Sequence, residues 1–401
     1  MIIRQHDRSS HSRTRLLAVL AATWLGLSLP ALSAAAPAPA SEGSPATTAP
    51  NRSSTPQPGV AAESTGGTAA RPEAPAAGPA TPKATAEAPT TLALILPLES
   101  PAFGRAAEAV RAGFAAAAGN TSYKVIGHGD GGVRAAFDKA RAAGIQRVVG
   151  PLVRDDLRSI ADSGADLPLT IALNHLEEGS SLPPRVYTLT LSFESEGSQL
   201  ARQAWAYGAR SVAIIESDSP LQKRLAGAFV GEWILCGGDA PTVYRFDRSS
   251  EMLALLRREL QRSPPDAVLL ALDVADATLA KAYVGDATAY AGSQVNDRAT
   301  PEILRDLDGL LFVEIPWRAD PTGGSYASLP RPTLGSATLD RLYALGIDAY
   351  RVAEAFAKGP PATLEFDGAT GHVTLERNRQ FARESTMLQF RDGEVIPAGA
   401  P

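Results

Sequence analysis

Three stretches of the chain bring together residue types that could do chemistry. "GHGDGG", Gly127 to Gly132, fits G-x-G-x-x-G between an expected strand and an expected helix, the spacing at which backbone amides can approach a pyrophosphate. A dinucleotide site also needs an acidic residue about twenty positions on, at the end of the next strand. That strand ends instead in Gly150 and Pro151, and the glycines follow the second strand of their series, not the first. The stretch therefore reads as a tight turn, and no cofactor is expected. His128 with Asp130 would be half of a triad, but no G-x-S-x-G elbow supplies a nucleophile. Once a leader is removed, the remaining histidines are His128, His175 and His372. They lie in separate segments, none at metal-ligand spacing, so no metal is expected. His175 precedes Glu177 and Glu178 in a loop after a strand, a position that lines a cleft or is simply solvated. Asp155 and Asp156 open a helix, where the N-terminal dipole already accounts for them. No catalytic residue is assigned, and the chain is not expected to be an enzyme.

The elements that would position these residues follow from apolar periodicity. "TLALILPL" reads as a strand, Phe103 to Ala118 as a helix, "YKVIGH" as a strand, Val133 to Ala143 as a helix, "RVVGPL" as a strand, Arg154 to Ser163 as a helix and "LPLTIALN" as a strand. This is a parallel β-α-β series buried on both faces. A second series runs from "SVAIIES" through helices at Pro220 to Leu235, Ser250 to Gln261 and Ala275 onward, ending in the strand "ATAYAGS". "RVYTLTLSFESEG" reads as a strand leaving one sheet and "LDGLLFVEIPW" as one returning. Two α/β lobes joined by crossing segments enclose a cleft, where ligands of such folds bind. A last helix, Asp340 to Gly359, carries Leu339, Leu342, Tyr343, Ile347, Tyr350, Ala353 and Phe356 along one apolar face. Gly346 interrupts that face at a cost of about 1 kcal/mol relative to alanine, so its missing side chain must admit another backbone or a bulky ring.

Composition bounds the class. The 401 residues are 44% hydrophobic and 20% charged with a net charge of -5, which fits a globular protein and argues against nucleic acid as a partner. Arg4, Arg8, Arg13 and Arg15 precede the apolar run Leu16 to Leu29, which ends in Pro30 and "ALSAAAPAPA", as a secretory signal does. The run is shorter than the roughly 20 residues that span a bilayer. Cleavage between Ser33 and Ala36 would leave a periplasmic protein without a transmembrane segment. No cysteine follows the run to receive a lipid, so outer-membrane anchoring is not expected. The single cysteine, Cys236, excludes an intramolecular disulfide and reads as a packed residue. From Pro37 to Thr90 the chain is rich in Ala, Pro, Thr, Ser and Gly with no aromatic residue, a composition expected to form a disordered linker. The organisation expected is a signal at 1–36, a linker at 37–90, a first lobe at 91–191, a second at 192–314, a return to the first at 315–360, and a C-terminal part of the second with a tail at 361–401.

"LALILPLESPAFGRAAEAVRAGF", "VVGPLVRDDL", "IALNH", "LDGLLFVEIPW", "RLYALGIDAYRVA" and "GATGHVTL", in this order, resemble the LppC/LpoA family of penicillin-binding protein activators. The resemblance runs from Thr91 to about Pro397. It implies a type I periplasmic binding protein fold, two Rossmann-like lobes with parallel sheets joined by three crossover segments, the third near "GATG". It also implies a non-enzymatic role at the cell envelope, with a class A penicillin-binding protein, a peptidoglycan synthase, as partner. Long members of the family carry an N-terminal helical repeat domain, which the linker does not resemble.

The same fold serves solute-binding proteins that deliver an amino acid or peptide to a transporter, and fold alone does not separate the two. Amino-acid binders of this type offer hydroxyl and backbone donors after the third and fourth strands. Here those places hold Pro151 and Leu152, and Leu173 and Asn174; proline has no N–H and leucine no polar side chain. If the fold is of this type, Ser100 and Phe103, Pro151 and Leu152, Asn174 and His175, Ser192, Ser293 and Trp317 face one another across the cleft, whether it holds a small-molecule ligand or none.

Overall fold

The run Leu92–Leu96 (β1) is buried at every position, and its alternation decides what packs on each face. A computed structural model of the chain describes residues 90–399 except 165, 178, 298 and 299; the expected signal and all of the expected linker before Thr90 lie outside the described residues. Around β1 run α1 (Gly104–Ala118), β2 (Lys124–Gly127), α2 (Val133–Ala142), β3 (Arg147–Val149), α3 (Arg154–Ala161), β4 (Leu169–Ala172) and β5 (Val186–Thr188). The five strands are parallel in the order β2-β1-β3-β4-β5. Leu92, Leu94 and Leu96 join a core with Val110 and Phe114 of α1. Ala93 and Ile95 point the other way, to Phe137 of α2 and Leu157 and Ile160 of α3. A strand buried on both faces must be apolar throughout, and this one is.

The second lobe repeats the plan with α4 (Phe193–Ala206), β6 (Val212–Glu216), α5 (Pro220–Leu235), β7 (Thr242–Arg245), α6 (Ser250–Arg262), β8 (Ala267–Ala271), α7 (Val274–Lys281), β9 (Thr288–Ala291), α8 (Pro301–Asp306) and β10 (Leu311–Glu314). Ile214 of β6 packs with Leu200, Leu225 and Phe229 of α4 and α5, and Ile215 with Leu256 and Leu260 of α6. After α9 (Pro316–Ala319) and α10 (Ala337–Ala355) come β11 (Glu365–Gly368), β12 (Gly371–Leu375), β13 (Phe381–Glu384), β14 (Thr386–Arg391) and β15 (Glu394–Pro397). The second sheet has the order β15-β14-β10-β9-β8-β6-β7, with β14 and β15 antiparallel to their neighbours. Among the described residues no helix is long and apolar enough to cross a membrane.

Three local readings change. "FESEG" is not strand: Ser192 Oγ accepts the Ser195 amide at 3.1 Å and caps α4, a side-chain cap that strand periodicity does not register. "GATG" is not a crossing but the turn of the β11–β12 hairpin, where Gly368 pairs with Gly371; the chain passes to the second sheet only between β13 and β14. Of the stretch 361–401, Val373 and Phe381 lie in the first lobe's core, and β14 and β15 extend the second sheet.

α10 is buried nearly all round rather than on one stripe, with Leu345, Ala349 and Tyr350 in the first lobe's core. Ser336 caps it, so the helix begins at Ala337, ahead of the expected start at Asp340. Its Gly346 meets α1 backbone to backbone: a Cβ there would stand 2.1 Å from the Val110 carbonyl oxygen. Gly113 of α1 does the same in return, its Cβ falling 1.9 Å from the Tyr343 carbonyl oxygen. The second lobe uses one glycine for its own helix pair, Gly197 of α4, which would strike the Leu225 carbonyl oxygen of α5 at 2.2 Å.

Candidate interlobe site

The loops that follow β3 and β4 are stapled to each other. Leu173 donates its amide to the Pro151 carbonyl at 2.9 Å, and Asn174 Nδ2 donates to the Leu152 carbonyl at 3.0 Å. Asn174 Oδ1 accepts the His175 amide at 3.0 Å, which fixes the direction in which the histidine leaves the sheet. Arg154, in the first turn of α3, donates Nη2 to His175 Nε2 at 2.8 Å. Arginine has no acceptor, so this nitrogen of His175 carries the lone pair. Glu194 of α4, an element of the second lobe, stands 3.8 Å from the same nitrogen. It accepts two bonds from Arg224 of α5, from Nε at 2.5 Å and from Nη2 at 3.0 Å. Burial works to raise the Glu194 carboxyl, but the paired Arg224 and the first-turn backbone outweigh it and hold it at about 2. The outcome is a row, Arg154, His175, Glu194, Arg224, running from one lobe to the other.

A second row crosses deeper. Arg341 of α10 donates Nε to Glu314 Oε1 at 2.9 Å and Nη2 to Oε2 at 2.8 Å, Nη1 to Asp297 at 2.7 Å, and Nη2 also to the Ser293 carbonyl at 2.8 Å. Glu314, at the end of β10, is 1% exposed, and Arg318 Nε adds a bond at 3.0 Å. Burial raises this carboxyl, and Arg341 together with Arg318 reverse the effect and leave it below the ordinary range. Ser293 gives its amide and hydroxyl to Glu196 of α4 at 2.9 and 2.8 Å. There burial prevails over the serine's bonds and the Arg341 charge, and the Glu196 carboxyl is pushed up. Asp348, one helical turn and more along α10, accepts the Ala369 and Thr370 amides at 2.9 and 2.7 Å and the Thr370 hydroxyl at 2.7 Å. It fastens the "GATG" hairpin to the helix.

Of the residues expected at the cleft, Leu152, Asn174 and His175 come together, and they reach the helix capped by Ser192 through Glu194. Ser293 reaches that helix through Glu196. Ser100 is buried and accepts the Phe103 amide at 3.3 Å inside its own turn, while the Phe103 ring is exposed. Trp317 packs with Tyr326 and Tyr343, under the Arg331 guanidinium at 3.7 Å, and its amide donates to the Ala369 carbonyl at 3.0 Å, in the hairpin that Asp348 holds. Arg154, Glu194, Arg224, Glu314 and Arg341 were not read from sequence. A buried glutamate ending an apolar strand, "LFVE", was the one local sign available. His128 faces Asp156, not Asp130: its Nε2 is 3.8 Å from the Asp156 carboxylate and makes no hydrogen bond, and burial raises the Asp156 carboxyl beyond what the His128 charge offsets. A groove of about 750 Å3 bordered by Leu253, Arg257 and Tyr283 lies on α6 and touches none of the expected residues. Among the described residues no group of three His, Cys, Asp or Glu side chains could hold a metal ion.

The sequence profile of the family described as "LppC putative lipoprotein" matches residues 68–264 and 266–393. The chain belongs to the LppC family. The penicillin-binding protein activator LpoA of Edwardsiella piscicida is 27% identical over 307 residues, covering 66% of this chain and 44% of that protein. LpoA of Haemophilus influenzae is 25% identical over 301 residues, covering 72% and 52%. The chain thus spans about half the length of the curated relatives it matches. Among solved structures, the LpoA (YraM) C-domain from Haemophilus influenzae, described as a regulator of PBP1A, superposes with a TM-score of 0.68 at 26% identity, covering 77% of this chain and 99% of that one. A chain from Chromobacterium violaceum, described as a "putative branched-chain amino acid ABC transporter", gives 0.65 at 34% identity, covering 74% and 99%. The LppC family and the periplasmic-binding-protein-like fold expected from the sequence motifs are thereby established.

Proposed function

We propose that this LppC chain is a non-enzymatic periplasmic activator of a class A penicillin-binding protein. The observation that carries the reading is the match to nearly the whole of a domain described as a regulator of PBP1A. The interlobe site fits it: Arg224 pairs with Glu194 and Arg341 with Glu314, so these charges are spent on one another. Such a protein acts by binding the synthase's active state more tightly than its resting state, and the shift it produces is bounded by that difference. Ser100, Phe103, Pro151, Leu152, Asn174, His175, Ser192, Ser293 and Trp317 would then line a cleft that has no substrate to turn over.

The test is reconstitution. The purified protein is added to each class A synthase of the same organism with lipid-linked precursor, and glycan polymerisation and cross-linking are followed separately. A rise in either rate is expected with one synthase. No binding and no stimulation while the synthases are themselves active would sink the reading.

The 34% identity to a chain described as an amino acid transporter component favours a second reading, solute reception. Micromolar binding of leucine, glutamate or a short peptide in calorimetry would select it.

A further inference from the structure

We propose that Glu194 is a built-in ligand, occupying a carboxylate site that spans the two lobes and excluding free carboxylates from it. The geometry is that of a bound acid, not of a surface ion pair. Both Glu194 oxygens are taken by the Arg224 fork, the arrangement in which arginine recognises a carboxylate. The group lies in the first turn of a helix of 14 residues whose cap is already satisfied by Ser192, so the positive end of the helix faces it. From the opposite lobe His175 closes the third side, held by Arg154. One guanidinium group and a helix end thus hold the carboxylate, with the His175 ring 3.8 Å away on its third side. Removing it would leave an excess of positive charge with no substitute. The side chains of His175, Glu194 and Arg224 are 22%, 32% and 32% exposed, so a small anion from solution can reach the place.

The inference is independent of the activator reading, because it concerns what fills the site and not what the protein docks with. The probe is acetate, added to the whole protein at tens of millimolar and compared with sodium chloride of equal ionic strength and with acetamide. Glu194→Ala is expected to melt lower than the unaltered protein and to be restored by acetate by about 2–4 °C, the size of a 1 kcal/mol gain in a domain of this scale. Acetamide should restore nothing, and the unaltered protein and Glu194→Gln, whose side chains fill the place, should not respond to acetate. The double variant Glu194→Ala with Arg224→Gln should lose the rescue. Equal responses to acetate and chloride, an equal acetate response in the unaltered protein, or rescue that persists without Arg224 would each overturn the proposal. Should Glu194→Ala not accumulate folded, Glu194→Ser keeps a polar first-turn side chain and carries the same comparison.

Discussion

His372 on β12 donates from its ring nitrogens to two carboxylates, Nδ1 to Asp367 at 2.7 Å and Nε2 to Glu365 at 2.8 Å. The Asp367 bond, then the Glu365 bond, raise its pKa above 6.5. A raised histidine contributes stability that is complete below 6.5 and is lost as pH climbs through the folded value. With 40% of the side chain exposed, solvent screens the pair and the contribution is small. Its C–H proton signals should titrate with a midpoint above 6.5 in NMR, moving down in Asp367→Asn and in high salt. Glu194 runs in the opposite sense. Held at about 2 against an ordinary 4.5, it contributes stability above pH 4.5 that drains as pH falls toward 2. The melting difference between the unaltered protein and Glu194→Gln should therefore be largest near neutral pH and shrink steadily below 4.5. A difference that stays constant down to pH 3 would show that the charge does not matter.

At the scale of elements, both lobes place two helices so close that a side chain would collide with backbone, and glycine is what permits it. Alanine raises helix propensity over glycine by about 1 kcal/mol where there is room, and overpacking costs about 1–3 kcal/mol or more where there is none. Gly231 of α5 has nothing within 4 Å of its Cβ position, so Gly231→Ala should stabilise by about 0.5–1 kcal/mol. Gly346→Ala, meeting Val110 backbone at 2.1 Å, should destabilise by at least about 1–3 kcal/mol. Urea midpoints for the two variants should fall on opposite sides of the unaltered protein. A Gly346→Ala midpoint at or above that of the unaltered protein would mean that α1 and α10 are not in backbone contact.

For the whole molecule, Arg341 ties α10 in the first lobe's core to β10 and the Ser293 loop of the second. All four of its hydrogen bonds go to partners from the second lobe's segments. Arg341→Ala would strand Glu314 without its main partner, a loss of about 3–5 kcal/mol for a buried charge left unpaired. Unfolding followed by tryptophan fluorescence should show that loss. Small-angle scattering of any protein still folded should show the lobes less tightly held. A fall under 1 kcal/mol, with scattering unchanged, would show that the remaining crossings hold the lobes without it.

The sequence by itself determined the two parallel β-α series, because strands buried on both faces must be apolar throughout, and "LALIL" and "AVLLA" are. It also showed that Gly346 must meet something large, since a glycine on a buried helical face has few other uses. Its ordered motifs named the family. It did not show that Gly113 answers Gly346, that Ser192 starts a helix, or that Glu194 and Arg341 bind the lobes together. In one row the residue that faces Glu194 from the first lobe is His175, on a different element, and in the other Glu314 and Arg341 lie 27 residues apart. Apolar periodicity records whether a position is buried, because burial repeats with the helix or strand it belongs to. An ion pair between segments leaves no such period: each charge looks like a solvated residue until the tertiary structure brings its counterpart within hydrogen-bond reach.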